Sequence, residues 1–284
     1  MADADAGVPA VDPDTMVPTS MDPATMDPDT MVPTSMDPAQ DGMMPEGGAT
    51  APEEMAELRP CITEGSQIQF IGDSYSTYAL AHGPMATFMT ERAREAGALP
   101  ARESYRDRAV AGTTIAAGAA QIPQQWQAAK RDLPVHVVVM SASGNDVIIF
   151  RQDCNQPGAE DRAECQEVVM TSLNAGQKMW DDMKASGVTD VIWFWYPHTP
   201  GGSGNGISDY TYDRLVDMAA SASTASFHVH MVPTVDIFEG HPEYFALDNL
   251  HANNTGTGKI ADRIWELMTS ECIGQAESSG CCKP

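Results

Sequence analysis

The chain is 284 residues long, with 40 acidic side chains against 16 Lys and Arg, a net charge of −24 and 42% hydrophobic residues. That imbalance excludes nucleic acid and anionic membrane surfaces as partners, since both repel an acidic chain. No apolar run reaches the roughly 20 residues needed to span a bilayer, so no transmembrane segment is expected.

Residues 1–58 hold 13 of the acidic side chains and no Lys, Arg or aromatic residue. From Met16 to Gln40 they repeat in pentads, MVPTS, MDPAT, MDPDT, MVPTS and MDPAQ. Proline at every fifth position fixes φ, removes a donor and biases the preceding residue toward extended backbone. So little apolar surface does not offset the entropy of ordering the segment. It reads as a disordered, semi-extended acidic stalk. A metal-binding or adhesive ladder of Met and Asp is disfavoured, because a flexible chain loses entropy in gathering its ligands. Residues 59–284 are left as one globular domain.

Along that domain, Gln67–Ile71 predicts the first strand. A helix follows with Tyr78, Met85, Met89 and Ala93 on one face, interrupted at Gly83-Pro84 and stopped by Gly97. Arg108–Ala111 predicts a short second strand, and Ile115 to Arg131 a helical stretch. Val135–Met140 is continuously apolar, as expected for a strand buried on both faces. Ala163 to Ala185 reads as a long helix with Val169, Leu173 and Trp180 inward. Val191–Trp195 and Phe227–Val232 are the fourth and fifth strands, and a last helix starts near Thr257. Alternating strands and helices imply an α/β fold, a three-layer α/β/α sandwich around a five-stranded, mostly parallel sheet. Sites in such sheets form at the carboxyl ends of the strands.

The six cysteines, Cys61, Cys154, Cys165, Cys272, Cys281 and Cys282, contain no Cys-x-x-Cys pair. Disulfides made in an oxidising compartment fit better than a zinc site or six free thiols. Cys154 with Cys165 across a short loop, and Cys61 with one of the three C-terminal cysteines, are the expected pairings. A secreted or cell-surface location is therefore expected, with a native leader removed ahead of Met1 compatible with it.

Four segments fall at strand ends. Gly72-Asp73-Ser74 follows the first strand and places Ser74 among the unpaired N–H groups of a helix start. Gly112 follows the second strand, where a glycine leaves its N–H open to a ligand. Ser143-Gly144-Asn145-Asp146 follows the third, and the Asn145 amide can donate to an oxyanion. Asp248 and His251 precede the last helix, three residues apart, so the carboxylate can orient the imidazole. Singly, each segment is ordinary turn or cap chemistry.

Together and in this order, these segments resemble the SGNH hydrolases, or GDSL-like lipases and esterases, over roughly Gln67 to Glu271. The resemblance implies the flavodoxin-like fold of that family and a secreted serine esterase with Ser74 as nucleophile, His251 as base and Asp248 as its orienting acid. It implies oxyanion donors from Ser74, Gly112 and Asn145, an ester substrate that is small or carried on a polymer, and no metal or organic cofactor. Short acyl groups are expected because no segment resembles a bulky lid. A lipase for longer chains and a non-catalytic surface module on the stalk are the alternatives. The family's third motif usually reads Gly-x-Asn-Asp, whereas Ser143 precedes Gly144 here, and Tyr75 stands where the family often has Leu. Asp73, Tyr75, Trp195 and His198 are expected to contact substrate, the last entering the glycine-rich loop Pro200–Gly206. His228 and His230 share one strand face, where core packing is a better reading than a metal pair. An α/β-hydrolase elbow needs Gly two residues past the serine, and Ser76 is there. No phosphate-binding glycine loop follows the first strand. The domain is expected to be a monomer.

Overall fold

The computed structural model describes residues 59–77, 85–132, 134–148, 151–280 and 282. The proposed stalk, together with Tyr78 and Gly83-Pro84, lies outside them. Strands β1 (Ile68–Gly72), β2 (Arg106–Asp107), β3 (Val137–Ser141), β4 (Asp190–Phe194) and β5 (His228–Val232) form a sheet in the order β2-β1-β3-β4-β5. Every neighbouring pair is parallel, with Phe70 opposite Val139 and Ile192 opposite His230.

Eight α-helices stand among the described residues. They are α1 (Ser74–Thr77), α2 (Met85–Glu95), α3 (Ile122–Ala129), α4 (Gly144–Ile148), α5 (Ala163–Ala185), α6 (Asn205–Ala222), α7 (Val235–Phe238) and α8 (Asn254–Ser270). Parallel connections send helices to both faces, so the central strands are buried throughout, as β1, β3 and β4 are. Side chains alternate across the sheet. Val138, Met140 and Trp193 join Trp126 of α3 and Trp180 of α5 on one side. Val137, Val139 and Phe194 join Met89 of α2 and Ile260 and Ile264 of α8 on the other. Each large side chain buried this way contributes about 1.5–3 kcal/mol.

Three expectations are corrected in detail. The second strand covers two exposed residues, Arg106–Asp107, slightly earlier than the apolar pattern implies. The helix expected from Ile115 begins only at Ile122. The Asp146 carboxylate binds the N–H groups of Ile115, Ala116 and Ala117 at 2.9–3.0 Å, holding that segment as a turn. Helix α6 is missing from the expected elements, because its glycine-rich approach hides a clear signal. Ile207, Thr211, Leu215 and Ala219 recur every fourth residue and are buried.

Cys61 pairs with Cys282, and Cys154 with Cys165. At the edge where the strands begin, buried Asp190 receives Arg59 Nε at 2.8 Å and contacts His230 Nε2 at 2.8 Å. Arg59 also donates to the Glu271 carbonyl at 2.6 Å. His230 is thus committed to a carboxylate, with the His228 ring centroid 6.0 Å away. No helix among the described residues is long and apolar enough to cross a membrane.

Candidate active site

Ser74 opens α1 directly after β1. The turn before it requires glycine. Gly72 has φ +135°, and a Cβ there would lie 2.5 Å from the Ser141 carbonyl oxygen. Gln125 of α3 clamps the same peptide, accepting the Gly72 N–H at 2.7 Å and donating to its carbonyl at 2.9 Å.

Ser74 Oγ lies 2.8 Å from His251 Nε2, and His251 Nδ1 lies 2.7 Å from Asp248 Oδ2. The spacing of 177 residues between Ser74 and His251 is thus closed by the fold. The other Asp248 oxygen accepts the backbone N–H groups of Leu250 and His251, each at 3.0 Å, so the carboxylate fixes its own loop. Asn253 caps α8 by accepting from Thr255 and Gly256, which sets where that loop ends. Burial pushes the Asp248 carboxyl up, but the hydrogen bonds from His251 and the loop amides outweigh it and hold it below its ordinary value.

Asn145 stands in the first turn of α4, and its Nδ2 donates to the Thr113 carbonyl at 2.9 Å. A side-chain amide carries two such protons, so a second N–H is left beyond this bond. Gly112 occupies an exposed turn with φ +77°. It is not among the residues lining the cavity beside Ser74.

That cavity has a volume of about 70 Å³ and opens to solvent, with room for a few water molecules. Ser74, Asn145 and His251 line it together with Trp195, Val147 and Ile207. The glycine-rich loop closes one side. Ser203 Oγ donates to the Asn155 carbonyl at 2.7 Å, and a Cβ on Gly204 would meet Asn155 Oδ1 at 2.0 Å.

The four residues expected to meet substrate are placed differently from one another. Trp195 lines the cavity with its Nε1 on Ser208 Oγ at 3.0 Å. His198 does not line it, and its Nε2 lies 2.7 Å from Asp209 Oδ1. Asp73 and Tyr75 line the cavity, but their polar atoms are engaged inside the protein. Asp73 accepts from Tyr75 N at 3.1 Å, Ser141 Oγ at 2.9 Å and Tyr196 Oη at 2.5 Å. Burial raises the Asp73 carboxyl above its ordinary value despite these bonds and the nearby His251. The Tyr75 hydroxyl donates to the Leu250 carbonyl, next to His251. Sequence reasoning misses Gln125, Ser141 and Tyr196. Of these Ser141 and Tyr196 carry a signal, each standing directly after an expected strand, Val135–Met140 and Val191–Trp195.

A parallel α/β/α sandwich with a serine, a histidine and an aspartate joined at its carboxyl rim defines a candidate hydrolase scaffold. The model of the GDSL-like lipase/acylhydrolase family matches residues 70–258, more than half of the chain. The chain belongs to this family, and it is a carboxylic ester hydrolase. Solved structures show the same fold. A carbohydrate esterase family 3 protein from Talaromyces cellulolyticus matches with TM-score 0.51 and 14% identity, over 72% of this chain and 96% of that one. A family 3 carbohydrate esterase from Clostridium thermocellum gives TM-score 0.52 and 16% identity, over 72% and 94%. The lipase Lip_vut3 from a goat rumen metagenome gives 0.54 and 13%, over 76% and 98%. Comparison with curated protein sequences returned no match.

Proposed function

We propose that the protein hydrolyses esters of short acyl groups through an acyl-enzyme on Ser74. With the imidazole proton on Nδ1, bonded to Asp248, Nε2 accepts the Ser74 O–H. Ser74 Oγ bonds to the ester carbonyl carbon as its proton passes to His251 Nε2. The oxyanion receives the N–H group of Ser74 and the second N–H of Asn145, with the Gly112 N–H as third donor from the turn beside the cavity, next to the Thr113 carbonyl that Asn145 holds. The carbon–oxygen bond to the alcohol breaks, and His251 returns the proton to the leaving oxygen. Water repeats the sequence and frees the acid. The observation that carries this reading is the unbroken relay of 2.8 Å and 2.7 Å from Ser74 through His251 to Asp248.

The limited volume of the open cavity beside Ser74 is in keeping with a short acyl group, and the shared fold with two carbohydrate esterases is in keeping with a carbohydrate as carrier. Two disulfides favour an extracytoplasmic setting. Residues 1–58 remain, on this reading, an acidic stalk to a catalytic domain over 59–284. Fluorophosphonate should label Ser74 stoichiometrically, and Ser74→Ala should lose on the order of 10⁶ in kcat. A Ser74→Ala protein retaining most of its esterase activity removes the assignment. Rates across acetyl, butyryl and octanoyl esters should fall with chain length. A maximum at octanoyl would favour the lipase alternative.

A further inference from the structure

Tyr196 follows β4 by two residues, and its hydroxyl makes two bonds. It donates to Asp73 Oδ2 at 2.5 Å and accepts the Gly144 N–H at 3.2 Å. Asp73 immediately precedes Ser74, and Gly144 immediately precedes Asn145. One phenol therefore bridges the loop of the nucleophile and the loop of the oxyanion amide. The other Asp73 oxygen ties the same assembly to β3 through Ser141 Oγ.

The ring fits only because position 144 has no side chain. A Cβ there would lie 2.9 Å from Tyr196 Cζ and 3.0 Å from Cε2. The preceding residue, Ser143, has φ +85°. Tyr75 and Trp195 hold the ring edge-on, each with centroids 4.9 Å away.

We propose that Tyr196 is a positioning residue that sets the spacing between Ser74 and Asn145, and that the Ser143-Gly144 order is the local sequence that admits it. This rests on the reading of Ser74 as nucleophile. A hydroxyl held between a fixed acceptor and a fixed donor links the two loops at a defined separation. Error in that spacing weakens the hold on the oxyanion, which forms only after attack, more than it weakens substrate binding. The signature is loss of kcat at nearly constant KM.

The test uses the full chain and compares wild type, Tyr196→Phe, Tyr196→Ala, Gly144→Ala and the double variant that combines Gly144→Ala with Tyr196→Ala. Turnover of an acetyl ester, rate of fluorophosphonate labelling at Ser74 and thermal unfolding are measured for each. Tyr196→Phe should lose on the order of 10- to 100-fold in kcat, keep KM within about threefold, and label more slowly. Gly144→Ala should cost much more activity when Tyr196 is intact than when it is already truncated by Tyr196→Ala. A Tyr196→Phe protein that melts lower but turns over normally overturns the proposal, as do strictly additive effects at 144 and 196. Wild type that takes no label at Ser74 overturns the nucleophile reading and this proposal with it. Labelled wild type beside an unaffected Tyr196→Phe overturns this proposal alone.

Discussion

Ser143 is a place where a single atom group lowers stability, and Ser143→Gly should raise it. The residue holds φ +85°, a left-handed conformation that costs an L-residue about 1–2 kcal/mol. Its hydroxyl is buried without a hydrogen-bond partner, a loss of about 1–3 kcal/mol for such a group. Glycine removes both penalties and adds back about 0.5–1 kcal/mol through its greater freedom in the unfolded chain. Even the smaller gains leave a net stabilisation of about 1 kcal/mol, or about 2–4 °C in Tm for a domain of this size. Calorimetry of the oxidised protein, with urea unfolding beside it, measures the change. An unchanged or lowered midpoint refutes the reasoning, because it would mean that the hydroxyl or the backbone at 143 is satisfied in a way this geometry excludes.

Other perturbations have equally definite outcomes. Asp248→Asn should keep the fold and lower kcat by roughly 10⁴, since the amide selects the wrong imidazole tautomer; steady-state kinetics will show it. Gly72→Ala meets the Ser141 backbone at 2.5 Å and should cost more than about 2 kcal/mol by urea unfolding. Removing the Cys61–Cys282 pair, separated by 221 residues, should cost about 5 kcal/mol against about 3 for Cys154–Cys165, separated by 11; paired Cys→Ser variants test that order. Asp190 is raised by burial but held lower overall by His230 and Arg59. Its contribution is present above the ordinary carboxylate pKa and is lost as pH falls through the depressed one. Asp190→Asn should therefore be less stable near about pH 7 and show a flatter acid limb down to about pH 3.

Patterns of burial make most of the sheet legible. Val135–Met140 and Val191–Trp195 are apolar without alternation because both faces are covered, and they fall on β3 and β4 within two residues at either end. The helix at Ala163–Ala185 is predicted at its observed bounds, its register set by Val169, Leu173 and Trp180. What escapes depends on distant partners. Nothing near Ile115 announces that Asp146, about thirty residues later, will hold its amides and stop a helix. At the site, the proposed nucleophile, base and acid are each visible in short motifs. Tyr196, Gln125 and Ser141 are not, because their roles come from backbone groups and carboxylates brought to them by the sheet. Ser143 shows the limit most clearly, since nothing in its motif announces the left-handed backbone, φ +85°, that it adopts.

Arg59 is fastened to Asp190, the first residue of β4, and two residues later Cys61 is locked to Cys282. Ser74, Asn145 and Tyr196 all come after strands have ended. Mechanical attachment and chemistry therefore occupy opposite poles of the domain. Load entering the described domain at Arg59 or Cys282 falls first on a salt bridge and a covalent staple, at the pole away from Ser74.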